Sequence, residues 1–183
     1  ISFESNKSNP MSYASHFYMR DNNNEWFEVT EIEIPNTVET IDNYQFTGFS
    51  NITSIIIPDS VTSIGGYAFY ECYKLVEIYN LSSLDITIGS ANNGYIGYYA
   101  MAIHSSLEED SSITTTSDGY KFINYNNEYS LLGYIKDDTK IVLPESINGY
   151  NYKIYQYAFM NNESLTSITI PNTITNIEKD AFY

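Results

Sequence analysis

The chain has 183 residues, enough for one ordinary domain or two very small ones. Its 23 acidic side chains outnumber 8 basic ones, for a net charge of -15. Nothing in that balance could neutralise a run of phosphates, so nucleic acid is excluded as a partner, and an anionic membrane surface with it. No apolar stretch is long enough to span a bilayer, so direct membrane insertion is not expected. Ile is three times as common as Leu, Tyr reaches 19 and Asn reaches 20. β-branched and aromatic residues favour strands while Asn favours turns, which excludes a helical bundle and points to a mainly β fold.

The chain opens on Ile1 without an initiator Met, a basic segment or an apolar leader, and it closes at Tyr183 without a polar end segment. Both ends read as cut, so the expectation is a monomeric fragment of a longer protein. The single cysteine, Cys72, can make no disulfide within the chain.

In chain order, residues 1–30 are expected to form an N-terminal cap. Within it, Phe17 to Val29 holds two short apolar runs around Asp21-Asn22-Asn23-Asn24-Glu25, the pattern of a β-hairpin with Trp26 as its anchor. The oxygen-rich turn lacks the alternating acidic spacing and Gly of a calcium loop.

From residue 29 the chain repeats itself. Ile32-Glu33-Ile34-Pro35, Ile55-Ile56-Ile57-Pro58, Ile141-Val142-Leu143-Pro144 and Ile168-Thr169-Ile170-Pro171 line up. Each is followed by an apolar residue and, five positions later, a Phe: Ile41 to Phe46, Ile64 to Phe69, Ile154 to Phe159, Ile177 to Phe182. The Pro35–Pro58, Phe46–Phe69 and Phe159–Phe182 spacings are all 23 residues. A degenerate copy carries Leu75, Ile78 and Leu81, and its second half reads as Ile96 to Met101. Repeats one to three then occupy residues 29–104 and repeats four and five residues 138–183, the last truncated. Alternation in the strand sends Ile32 and Ile34 inward and Glu31 and Glu33 outward. Pro35 has no N–H and turns the chain. One such unit cannot offset the entropy of ordering itself, whereas stacked units share a core.

Residues 105–137 break the period. Ser105 to Ser117 is polar, carries Glu108-Glu109-Asp110, and is the segment expected to move most. Tyr120 to Ile135 reads as a second β-hairpin inserted between repeats.

The segment from Ile52 through Ile57-Pro58, Val61, Ile64-Gly65 and Ala68-Phe69 to Cys72 resembles the BspA-type leucine-rich repeats of bacterial and protozoan surface proteins. The resemblance covers about two thirds of the chain. It implies a right-handed leucine-rich-repeat solenoid with two hairpin insertions and little helix. It also implies a non-catalytic protein-interaction or adhesion module of a larger extracellular or cell-surface protein, bacterial in origin, with a host or matrix protein as partner. A carbohydrate-binding accessory module of a secreted enzyme is the alternative. Where other leucine-rich repeats place Asn, this chain has Thr37, Ser60, Ser83, Ser146 and Thr173, expected to form a hydroxyl ladder between coils.

No catalytic, cofactor or metal constellation stands out. His16 and His104 fall in unrelated segments, and Cys72 sits in a core column. Sequons at Asn6, Asn51, Asn80 and Asn162 are expected by chance in so Asn-rich a chain. The candidate binding surface is the outward strand face: Glu31, Glu33, Ser54, Ile56, Glu77 and Tyr79 in the first repeats, and Lys140, Val142, Ser167 and Thr169 in the last. An apolar centre at Ile56 and Tyr79 with an acidic rim is the composition of a docking site for a neutral or basic protein.

Overall fold

The structure is a computed structural model that describes residues 17–183. His16 and the sequon at Asn6 lie outside the described residues. The chain divides into two compact units, Ile1–Asp110 and Ser111–Tyr183.

In the first unit the expected hairpin is present. β1 (Tyr18–Arg20) pairs antiparallel with β2 (Trp26–Glu28), with Met19 opposite Phe27. The turn is closed by Asp21, whose carboxylate accepts from the Asn23 and Glu25 amides at 2.9 Å, while Asn24 takes φ 66°. Trp26 is not the anchor: it is 65% exposed, with the Arg20 guanidinium 4.4 Å above its ring. Phe17 is the residue that reaches the coil, its ring 5.4 Å from Phe49.

Four parallel strands follow in one sheet: β3 (Glu31–Glu33), β5 (Ser54–Ile57), β7 (Glu77–Asn80) and β8 (Ala102–His104). A second, narrower ladder runs through β4 (Thr40–Ile41) and β6 (Ser63–Ile64). The inward residues Ile34, Ile41, Ile55, Ile57, Ile78 and Phe69 are buried together, as the alternation demands. Pro35 and Pro58 each close a turn by accepting from Val38 and Val61, at 2.9 and 3.1 Å. The third coil has no Pro there; β7 runs to Asn80, whose side chain bonds Leu84 and Ser82 and turns the chain instead.

β8 corrects the reading of Ile96 to Met101 as a displaced second half. The Met101 and Ala102 amides both donate to Val76 O, as Val76 and Glu77 do to Thr53 O and Thr53 and Ser54 do to Thr30 O. Met101 therefore opens a fourth coil, with Ala100 in the column of Ile52 and Leu75 and buried like them. The third coil closes one turn earlier, through a 3₁₀ turn at Asn93–Tyr95, the one helical element among the described residues.

In the second unit, β9 (Ile113–Thr115), β10 (Tyr120–Tyr125), β11 (Glu128–Tyr134) and β13 (Tyr152–Ile154) form one sheet. The second expected hairpin is β10–β11, and it does more than interrupt. β11 runs parallel to β13, which continues by a bridge from Ile154 to Ile177, so the hairpin supplies the missing rung of the narrow ladder. β12 (Lys140–Val142) pairs parallel with β14 (Ser167–Thr169). Phe122, Leu131, Leu143, Ile154 and Phe159 fill this unit's own core. Within the segment from Ser105 to Ser117, Ile113–Thr115 pairs with β10 and the Glu109 carboxylate accepts from the Ser105 and Ser106 amides.

Side-chain ladders tie neighbouring coils. Ser60 and Thr173 donate to Val38 O and Glu145 O at 2.8 and 2.7 Å, as expected of their column. Thr53, Thr62 and Thr166 do the same in columns the sequence did not single out. The Cys72 thiol is buried, bonds Phe46 O at 3.1 Å, and is pushed far up by desolvation, which fits a small core residue.

Candidate functional site

The strand face of the first unit is built from two outward rows. One reads Glu31, Ser54, Glu77, Ala102 and the other Glu33, Ile56, Tyr79, His104, as the parallel register fixes. Glu31 and Glu33 are exposed; Ser54, Ile56 and Tyr79 are half-buried. In the second unit Lys140, Ser167 and Thr169 are exposed and Val142 is 66% exposed. They form the rows Lys140–Ser167 and Val142–Thr169.

Glu77 departs from the expectation of an open acidic rim. Its side chain points outward with its row, yet it is only 2% exposed. His104 covers it, with Nε2 3.0 Å from Glu77 Oε1 and Nδ1 3.3 Å from Glu109 Oε2. The same imidazole stacks on Tyr79 at 4.6 Å and 25°. His104 thus closes one end of the face, an arrangement invisible while β8 went unrecognised. The available signal was Ala100-x-x-Ile103, a weakened copy of Leu75-x-x-Ile78 set 25 residues on.

Glu109 anchors the cover. Its carboxylate accepts from the Ser105 and Ser106 amides at 2.8 and 3.1 Å and from the Ser105 hydroxyl at 3.2 Å. The Ser105 amide, then the contact with His104, hold its pKa below the ordinary 4.5. A carboxylate whose folded pKa is depressed stabilises the fold above its unfolded value and loses that contribution as pH falls through the folded one. Protection of the Ser105 and Ser106 amides, measured by NMR as exchange relative to the unstructured rate at the same pH, is therefore expected at neutral pH and is expected to fall as pH drops below the ordinary carboxylate range. Glu109→Gln is expected to lower that protection at neutral pH. Protection that does not change with acid would refute this.

Charge is not spread evenly. Residues 17–110 carry fourteen carboxylates and two cations, Arg20 and Lys74, and Lys74 bonds Asn51 at 3.0 Å. Residues 111–183 carry eight carboxylates and five cations. Among the described residues no cluster of three or more His, Cys, Asp or Glu could hold a metal ion, and no helix is long and apolar enough to cross a membrane. The sequons at Asn51, Asn80 and Asn162 have their amides engaged by Glu28 and Lys74, by Leu84 and Ser82, and by Ser164 and Leu165.

Among the described residues six strands thus lie in the column of Ile32, four in the first unit and two in the second. The BspA type leucine rich repeat pattern matches residues 20–115 and 134–183 in six copies. The chain belongs to that family. No curated protein is similar to the chain in sequence. Two solved structures are similar to it. One is a leucine rich cell surface protein of Faecalibacterium prausnitzii A2-165, with 16% identity over 92% of this chain and 72% of that one, TM-score 0.35. The other is a leucine-rich repeat protein of Eubacterium ventriosum ATCC 27560, with 16% identity over all of this chain and 56% of that one, TM-score 0.34.

Proposed function

We propose that this BspA-type chain is a non-catalytic protein-interaction module of a larger bacterial cell-surface protein, serving adhesion to a host or matrix protein. The strand face of the first unit is its docking surface. The observation that carries this reading is the pairing of exposed Glu31 and Glu33 with half-buried Ile56 and Tyr79, in the unit that holds most of the negative charge. Apolar centres with charged rims are what protein interfaces use, and the acidic field selects a neutral or basic partner. Glu77 plays no part in the contact, since His104 covers it. The carbohydrate alternative is not favoured, because a sugar needs an open ring face and His104 stacks on that of Tyr79.

The test is surface plasmon resonance against immobilised extracellular-matrix proteins at low and high salt. Binding is expected to weaken with salt and to fall about tenfold in Glu31→Lys/Glu33→Lys. Unchanged affinity in the folded double variant would remove the strand face from the interaction.

A further inference from the structure

A different segment of each coil carries a second surface. In the turn after β4 and β6, Tyr44 and Tyr67 hold left-handed φ of 59° and 57°. Tyr95 stands in the equivalent turn of the third coil, with φ 72°. Their rings stack coil upon coil, Tyr44 to Tyr67 at 5.5 Å and 3°, Tyr67 to Tyr95 at 5.4 Å and 21°. Tyr70 packs edge-on against both Tyr67 and Tyr95, at 5.6 and 5.3 Å. Tyr98 and Tyr99 extend the row, at 5.6 Å from Tyr95 to Tyr98 and 4.9 Å from Tyr98 to Tyr99. Six rings make one continuous aromatic strip, and it is not core: Tyr67, Tyr70 and Tyr98 are 45%, 37% and 46% exposed.

Bulky residues rarely occupy left-handed backbone, yet three tyrosines of this strip do. In the second unit the same column is Tyr157 and Asp180, which cannot form a strip. The strip coincides instead with the unit holding fourteen carboxylates against two cations. Tyr67 is sandwiched between Tyr44 and Tyr95, whereas Tyr70 and Tyr98 meet their neighbours at steep angles, from 55° to 84°. Perpendicular rings with phenolic edges in a strongly negative field suit a flat cation that can both stack and donate hydrogen bonds. The hairpin already holds one guanidinium over Trp26 in this way.

We infer that the tyrosine strip of the first unit is a docking surface for an arginine-bearing segment of a partner protein, separate from the strand face. Guanidinium groups stack on the exposed Tyr70 and Tyr98, and the net negative charge of the unit supplies the field.

The probes are a fluorescein-labelled peptide of alternating Arg and Gly and its Lys counterpart of equal charge, titrated by fluorescence anisotropy. The intact chain is expected to bind the Arg peptide about fivefold tighter than the Lys peptide, since only guanidinium stacks well. In Tyr67→Ser/Tyr70→Ser/Tyr98→Ser, with charge unchanged, affinity for the Arg peptide is expected to fall about tenfold and the preference to vanish. Glu31→Lys/Glu33→Lys is expected to weaken both peptides alike and leave the preference intact, so failure of the strand face and failure of the strip are distinguishable. Equal affinity of the intact chain for the two peptides overturns the inference, as does an undiminished preference in the folded triple variant. Should the triple variant not fold, Tyr98→Ser and Tyr70→Leu are each expected to lower the Arg-to-Lys ratio about twofold, and an unchanged ratio in both overturns it equally.

Discussion

Phe69→Ala is expected to destabilise the first unit by about 3–5 kcal/mol, and Phe182→Ala the second by less than about half of that. The two residues occupy one repeat column and are equivalent in sequence. Phe69 is wholly buried, stacks on Phe46 of the preceding coil at 5.2 Å, and donates its amide to Gly94 O of the next. Phe182 is 44% exposed and stacks on Phe159 alone of the Phe column, at 5.1 Å. Removing a ring with coils on both sides leaves a cavity that neither coil can close, because each is held by its own inter-coil hydrogen bonds. Removing the 44% exposed ring of Phe182 leaves a smaller cavity, because water already meets part of it. Urea denaturation followed by circular dichroism measures both losses. Equal destabilisation would mean that stacking of coils does not govern stability here.

The same contrast shows what sequence periodicity conveys. Columns such as Ile55, Ile78 and Ile154 were legible because alternation and spacing are properties of one strand and its copy. Whether a column is buried depends on what lies against it, and that is not local. Ile154 is fully buried while Ile177, the next copy, is 48% exposed. Glu77 has the same outward phase as Glu31, yet β8 brings His104 over it. Trp26 was given an anchoring role because large aromatic residues usually bury, but a three-residue strand pair offered it no wall. The strand face was legible as a row of positions; its closed end was not, because the small Ala100 stands where Ile52 and Leu75 mark the start of other coils. The tyrosine strip was half-legible. Tyr44, Tyr67 and Tyr157 each stand two before a Phe, a spacing the sequence displays, whereas the left-handed backbone there and the stacking it produces are not displayed.

Gly94→Ala is expected to cost about 3 kcal/mol, well beyond the price of its backbone angle. Gly94 sits at φ 65° in the turn that ends the third coil, where Ala68 stands one coil earlier. An added Cβ would lie 2.4 Å from Gly65 O and 2.9 Å from the Ala68 Cβ and amide N. Most of these are backbone atoms fixed by neighbouring coils, so they cannot retreat without breaking the bond from Phe69 N to Gly94 O at 2.7 Å. Gly89 provides the control. It holds a similar φ of 76°, but nothing lies within 4 Å of an added Cβ. Gly89→Ala should therefore carry only the cost of left-handed backbone, about 1–2 kcal/mol. The difference between the two variants in thermal or urea unfolding isolates the close approach of the coils. Equal losses would mean that the third and second coils are not in contact at this turn. Because Tyr95 follows Gly94 directly and stacks on Tyr67, Gly94→Ala should also lower the Arg-to-Lys preference of the tyrosine strip, whereas Gly89→Ala should leave it unchanged.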